Sequence, residues 1–181
     1  MRSDYAPQGI FDKILAALMP ENELAIRVSI ATGLRIGDVL ALKPEHVKPT
    51  KTRFTIKEQK TGKSRLVYIP KSLREQCFEN SGRFWVFEGR TDPTKHRTRQ
   101  AVFKDIRRSA KAFRVVQHVS PHSARKLFAV NYFQKVGDLG KVRELLNHSS
   151  EAVTMVYAMA DILTEKKTRK KSGLDKTKTV R

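Results

Sequence analysis

The sequence predicts an α+β fold that is mostly helical, with a small three-stranded antiparallel sheet in the middle of the chain. Two observations support this. Apolar residues recur at helical spacing near both ends of the chain, and three short segments between them are typical of strands. With 181 residues, of which 39% are hydrophobic and 30% charged, the chain can bury the core of one ordinary domain.

The helical patterns are punctuated by residues that begin or end helices. Gly33 is suited to end the second helix and Pro44 to end the third. The predicted helices cover residues 10–18, 24–32, 36–42, 72–79, 98–113, 121–136, 138–146 and 150–163.

The sheet is predicted from alternating and aromatic segments. Residues 52–59 place Phe54 and Ile56 on one face, and residues 65–69 return after Lys60-Thr61-Gly62-Lys63, which has the composition of a turn. The aromatic run 84–87 is predicted to be the third strand. Here Trp85 and its neighbours are interpreted as core residues rather than as a stacking surface for bases.

The chain is strongly basic, both in its C-terminal segment and in the domain before it. It has 37 Lys and Arg against 18 Asp and Glu, a formal net charge of +19 and a sequence pI near 10.4. Residues 164–181 carry a net charge of +6 and are predicted to be a polar tail, poorly ordered or docked on a neighbouring protomer, after a domain at 1–163. The remaining +13 lies within the domain, so nucleic acid is the first candidate partner.

Several other classes of protein are excluded. No apolar run reaches the roughly 18 residues of a membrane span, and the N-terminal segment lacks a signal-peptide pattern. The single cysteine, Cys77, excludes an intramolecular disulfide and a cysteine-based structural zinc site. His118 and His122 are four apart, but a helix is predicted to begin between them, so no metal site is expected. We therefore expect a cytoplasmic protein without a metal or a cofactor.

One short segment is typical of an anion site. In Ser120-Pro121-His122-Ser123-Ala124-Arg125, Ser120 is a good N-cap and Pro121 a good first helical residue. His122 and Arg125 then share one face of the first turns, beside the unpaired N–H groups of a helix N-terminus. The alternative is that both are simply surface residues of a capped helix.

Three further sites along the chain carry reactive or cationic groups at breaks and turns between the predicted elements. Arg35 lies in the break between two apolar helices, Lys60 begins the predicted hairpin turn, and His148 ends one helix, nine positions before Tyr157 on the next. In order, the segments TGLRIGDVLAL, KTGKSRLVYIP, SPHSARKLFAVNYF and LLNHSSEAVTMVY resemble the catalytic domain of tyrosine recombinases, of the phage-integrase and Xer type. The resemblance covers roughly residues 10–163, and the order of four separated motifs makes it specific.

The resemblance implies a nucleophile and a phosphate clamp. Tyr157 would attack a DNA phosphodiester and form a 3′-phosphotyrosine, while Arg35 and Arg125 would hold the scissile phosphate. Because the planar guanidinium fork spans two phosphate oxygens, lysine could not replace either arginine. Tyr132 is a rival nucleophile, but it lies on an apolar helical stripe.

The same resemblance implies the remaining roles. Lys60 would protonate the leaving 5′-hydroxyl, although Lys63 lies near the same turn. His122 would take part in proton transfer, and His148 would donate a hydrogen bond to a non-bridging oxygen. Asp38, three residues after Arg35, would support the site. Such preorganised donors stabilise the rising charge of the transition state without a metal, and the covalent intermediate makes ATP unnecessary.

The family resemblance also implies partners and one departure. Duplex DNA is the expected substrate, and a homo-oligomer, typically a tetramer, the expected synaptic assembly; accessory DNA-bending proteins are compatible with it. Only about thirty residues precede Arg35, so we expect no N-terminal core-binding domain, either in an isolated catalytic domain or in a short recombinase. The rival interpretations are a type IB topoisomerase-like enzyme and a catalytically silent DNA-binding accessory protein.

Overall fold

The computed structural model describes residues 3–146. Within that range the chain is mostly helical with one small antiparallel sheet, which confirms the predicted fold class. In chain order, the elements are α1 (Gln8–Leu15), α2 (Pro20–Thr32), α3 (Ile36–Leu40), a 3-10 turn (Pro44–His46), β1 (Arg53–Lys57), β2 (Ser64–Tyr68), α4 (Lys71–Glu79), α5 (Arg99–Ala112), α6 (Pro121–Val136) and α7 (Leu139–Leu145).

The chain divides into two compact units, Met1–Phe128 and Ala129–Arg181, with the boundary inside α6. In the first unit, α1 packs on α5, α2 on α3 and α4, and α3 on α5. The core that they share includes the fully buried side chains of Phe11, Ile26 and Leu34.

The break between α2 and α3 has a clear local cause. Pro20 occupies the first turn of α2, where its missing N–H does no harm, and α2 ends at Gly33 in the left-handed conformation, with φ 68°. The chain then passes through Leu34 to Arg35, which is extended and is the N-cap residue of α3. Arg35 is thus held at a sharp turn between two buried helices.

The β1–β2 hairpin has the expected alternation. Phe54 is paired with Val67 and Ile56 with Arg65, and these four residues form the buried face of the two strands. A buried arginine at Arg65 departs from the apolar pattern of that face. This buried guanidinium indicates that charged groups lie beneath the hairpin.

The predicted third strand is wrong. In the described part of the chain the sheet has two strands, and the segment 84–87 forms none. Gly82 N–H donates to Trp85 O at 3.0 Å, which closes a turn, and an isolated bridge joins Glu88 to His96. Val86 and Phe87 are buried in the core, but Trp85 is only half-buried and Phe84 is 43% exposed, so the expected core role holds for only part of the segment.

The second unit is described only over residues 129–146, which comprise the end of α6 and α7. Asp138 caps α7 by accepting a hydrogen bond from Lys141 N–H at 3.2 Å. The predicted helix at 150–163 and the basic tail at 164–181 lie outside the described residues. Among the residues that are described, no helix is long and apolar enough to cross a membrane.

Candidate active site

Arg125 binds the α2–α3 turn directly. It lies in the second turn of α6, is 5% exposed, and its Nη1 donates to Gly33 O at 2.7 Å. A Cβ on Gly33 would lie 2.3 Å from the ring of Phe128, which lies on α6 as Arg125 does. Glycine is therefore required there both by its positive φ and by the close approach of α6.

The electrostatics of Arg125 show that several guanidinium groups are gathered at this place. Burial, reinforced by the positive charges of Arg35 and Arg65, lowers the pKa of Arg125 to about 10. Glu58 and Asp38 oppose this shift. Arg125 still carries its charge at neutral pH, so the cluster holds three cations against two carboxylates.

Glu58 is the acid at the centre of this cluster. Its side chain is fully buried, and its Oε2 accepts a hydrogen bond from Arg35 Nη1 at 2.7 Å. Its Oε1 lies 3.6 Å from Nη1 of Arg65, whose Nη2 in turn donates to Thr32 O at 2.6 Å. One carboxylate thus contacts two of the three guanidiniums.

Asp38 connects α3 to the hairpin turn. Its Oδ1 accepts the backbone N–H of Gln59 at 2.9 Å. Burial raises the pKa of Asp38, and the nearby charge of Glu58 adds to this, although the Gln59 N–H, Arg35 and Arg125 act in the opposite direction. Asp38, three residues after Arg35, therefore holds the loop that carries Lys60.

The hairpin turn is closed by its own backbone. Glu58 N–H donates to Lys63 O at 3.0 Å, and Gly62 N–H donates to Glu58 O at 2.8 Å with Gly62 at φ 66°. Lys60 lies inside this turn, exposed and next to Gln59, whereas Lys63 lies at its base. Lys60 is thus the lysine adjoining the residue that Asp38 holds.

The start of α6 is fixed from its other side. Ser120 Oγ accepts the N–H of His122 at 3.2 Å, and Ser123 Oγ donates to Asp4 O at 2.6 Å. Lys126 Nζ donates to Ser3 O. These contacts engage Ser123 and Lys126, while His122 is exposed and precedes Arg125 by three residues, a spacing that puts the two on one face of α6.

The structure therefore brings Arg35, Asp38 and Arg125 into one cluster and places Lys60 in the adjoining turn. His148 and Tyr157 lie outside the described residues. Reasoning from sequence missed Glu58 and Arg65. The signal was present, because both are charged residues at positions where the strand alternation requires inward-facing, buried side chains.

The comparisons with known proteins agree with this architecture. The model of the phage integrase family matches residues 7–162, so the chain belongs to the phage integrase family. The probable integrase/recombinase YoeC of Bacillus subtilis is 30% identical over 136 residues, which cover 73% of this chain and 74% of that protein. The integrase of Escherichia phage P2 is 27% identical over 154 residues, 85% of this chain but only 42% of that protein.

Solved structures share the fold at lower identity. A crystal structure of a lambda integrase dimer bound to a COC′ core site matches with a TM-score of 0.71 at 20% identity, covering 86% of this chain and 48% of that one. The chain thus spans about half the length of some of its relatives, in the part that forms the tyrosine recombinase catalytic-domain fold.

Proposed function

We propose that this chain is the catalytic part of a site-specific DNA recombinase that cleaves and rejoins duplex DNA through a 3′-phosphotyrosine intermediate. The observation that carries the proposal is that Arg125 Nη1 donates to Gly33 O at 2.7 Å, two residues before Arg35, whose own guanidinium is paired with the buried Glu58. Such a cluster, beside the N-terminus of α6, is suited to a phosphodiester anion.

The arginines would supply the electrostatic part of the reaction. A phosphodiester gains negative charge in the transition state, and preorganised guanidinium groups stabilise that charge without having to reorient. Arg125 is fixed by Gly33 O and Arg35 by Glu58. Arg35, whose Nη1 is bound to Glu58 and whose side chain is 13% exposed, can present other N–H donors of its guanidinium to a phosphate.

The remaining residues would move the protons. Tyr157 Oη forms a new bond to phosphorus while the bond from phosphorus to the 5′-oxygen breaks. The phenolic proton passes to the imidazole of His122, and the departing 5′-oxygen takes a proton from Lys60. His148 donates a hydrogen bond to a non-bridging oxygen. A phenol with a pKa near 10 needs such help to react at neutral pH. Rejoining reverses these steps.

We also propose duplex DNA as substrate and a homo-oligomer, a tetramer in the synaptic complex, as the active assembly. The net charge of +13 on residues 1–163 favours binding to the phosphate backbone. The lambda integrase neighbours include a dimer on a core site and a tetramer on a Holliday junction, and both support this assembly as a proposal for this chain.

The test is to trap the covalent intermediate. The protein is incubated with nicked duplexes tiled across the genomic DNA that flanks its coding sequence, and a protease-sensitive covalent band is sought. The wild type should form the band and Tyr157→Phe should not, although it should still bind the DNA. Tyr132→Phe is the matched control and should keep the band. A band from Tyr157→Phe would refute the assignment of the nucleophile, and no band from the wild type with any duplex would refute the proposed activity.

A further inference from the structure

The fully buried carboxylate of Glu58 joins two parts of the candidate site that are distant in sequence. We propose that Glu58 is a positioning residue, which orients Arg35 toward the scissile phosphate and fixes the turn that carries Lys60. This inference rests on the proposed function and extends it to a residue that does not itself touch DNA.

The contact with Arg35 sets the direction of its guanidinium. Arg35 Nη1 lies 2.7 Å from Glu58 Oε2, and its side chain is 13% exposed where that of Glu58 is 0% exposed. The carboxylate therefore holds Arg35 from the interior. A charge-assisted bond of this length restricts the long arginine side chain to one orientation, and the donors on the outer edge of the guanidinium then face outward.

Glu58 contacts the hairpin turn through the same oxygen, Oε2, that accepts from Arg35. Glu58 Oε2 also accepts a hydrogen bond from Thr61 Oγ1 at 3.0 Å. Thr61 directly follows Lys60, and on the other side of Lys60 the N–H of Gln59 is held by Asp38. The residues on both sides of Lys60 are thus bound to carboxylates of the cluster that contains Arg35.

Stability alone does not explain a glutamate at this position. Phe54 and Ile56 precede it on the inward face of the strand, and an apolar residue would continue that pattern. Burying a carboxylate is costly even when it is paired, and apolar replacements of buried ion pairs are often neutral or stabilising. The charge is explained by what it holds, since Arg35 and Arg65 both lie within ion-pair distance.

The first test is a double-mutant cycle on the rate of adduct formation in a single turnover, with the nicked duplex that gives an adduct with the wild type. Glu58→Gln keeps the shape of the side chain and removes its charge. We expect it to slow adduct formation roughly 100-fold, as a misplacement of about 1 Å does, with DNA affinity unchanged within about twofold. In an Arg35→Ala background the same change should cost about tenfold or less, because only the part that acts through Thr61 and Lys60 remains. A full 100-fold loss there would overturn the proposal.

A second variant isolates the contact with the turn. Thr61→Val removes the hydroxyl and leaves the Arg35–Glu58 ion pair. We expect adduct formation about 10-fold slower on the natural phosphodiester, because Lys60 is displaced as a general acid. A 5′-bridging phosphorothioate leaves as a thiolate and needs no proton, so the loss should vanish on that substrate. An equal loss on both substrates would contradict a role through Lys60.

A third measurement does not depend on activity. In protein labelled with ¹⁵N-arginine, the Nη protons of Arg35 should be resolved in the wild type and averaged by rotation in Glu58→Gln. The matched control is Glu79→Gln, on the exposed end of α4, which should change neither these signals nor the rate. Unchanged Arg35 signals in Glu58→Gln would overturn the positioning role. If the wild type forms no adduct, the proposed function fails, while this measurement still decides the role of Glu58.

Discussion

Two buried aspartates of the first unit, Asp105 in α5 and Asp38 in α3, differ in how many hydrogen bonds their carboxylates accept. Asp105 Oδ2 accepts hydrogen bonds from Met19 N–H at 2.8 Å and from Asn22 Nδ2 at 2.7 Å, and its Oδ1 accepts two from Arg108, at 3.0 and 2.6 Å. Asp38 accepts the Gln59 N–H, while its buried Oδ2 has no hydrogen-bond partner within residues 3–146.

Their pKa values move in opposite directions for that reason. Burial alone would raise the pKa of Asp105, but the bonds from Asn22, Met19 and Arg108 together lower it below its ordinary value. Burial raises the pKa of Asp38, and its single backbone bond does not compensate. The Asp105 cluster is saturated with hydrogen bonds, whereas the Asp38 cluster keeps unbalanced charge, with three guanidinium groups against two carboxylates.

The largest effect should come from the unbalanced cluster. Arg125→Ala should slow adduct formation by about 100- to 1000-fold, since it removes a charged donor to the transition state. Arg125→Lys should recover little of this, because an ammonium lacks the planar fork. Single-turnover adduct assays measure both variants. Lys111→Ala, an exposed cation near the end of α5, is the control and should retain the wild-type rate; a similar loss there would indicate a general charge effect.

Removing a group from the saturated Asp105 cluster should lower the stability of the fold and leave the rate of adduct formation unchanged. Asp105→Ala should lower the free energy of unfolding by about 3 kcal/mol, because it leaves the buried donors of Asn22 and Met19 unsatisfied. Urea denaturation measures this. Below the unfolding transition, the rate of adduct formation should stay within about twofold of the wild type. A large loss of rate in fully folded Asp105→Ala would remove the distinction between the two clusters.

Two glycines with the same backbone conformation provide a finer comparison. Gly33 has φ 68° and would place a Cβ against Phe128, whereas Gly62 has φ 66° and would place its Cβ in open space. Gly62→Ala should cost about 1 kcal/mol of unfolding free energy, from the left-handed backbone alone. Gly33→Ala should cost roughly 1 to 2 kcal/mol more, because the Phe128 ring must shift. Equal losses by urea denaturation would contradict the close approach of α6.

The smallest effect is in the pH dependence of stability. The lowered pKa of Asp105 contributes stability above its ordinary pKa, and this is lost as pH falls through the folded-state value. The raised pKa of Asp38 acts oppositely: its contribution is complete below the ordinary pKa and is lost as pH rises through the folded-state value. Relative to the wild type, Asp38→Asn should therefore gain stability as pH rises above the ordinary aspartate pKa of 3.8, whereas the stability deficit of Asp105→Asn should shrink as pH falls below 3.8. Urea denaturation at each pH checks both signs.

Much of the fold could be predicted because its signals are local. Gly33 ends α2 as expected, although the helix begins at Pro20 and not at the predicted residue 24, and the span of α6 matches the predicted residues. The segment 84–87 was misassigned because apolar aromatic runs are shared by strands and by buried irregular segments. Strand pairing depends on a neighbour that the local sequence does not specify.

The site could be predicted only in part, for a similar reason. Arg35 and Arg125 were found through motifs, and their catalytic roles stay predictions. Strand alternation places Glu58 on the inward face, but it does not say which groups a buried glutamate would hold. Those partners, Arg35 and Arg65, come from different elements, and only the folded chain brings them to one carboxylate.

The central claim is that Arg35 and Arg125 act on the charge of one scissile phosphate. It is tested most directly by comparing a normal phosphodiester with a neutral methylphosphonate at the cleavage position, for the wild type, Arg35→Ala and Arg125→Ala. With no charge to neutralise, both variants should lose far less relative to the wild type on the methylphosphonate than on the phosphodiester. Losses of equal size on the two substrates would contradict the claim.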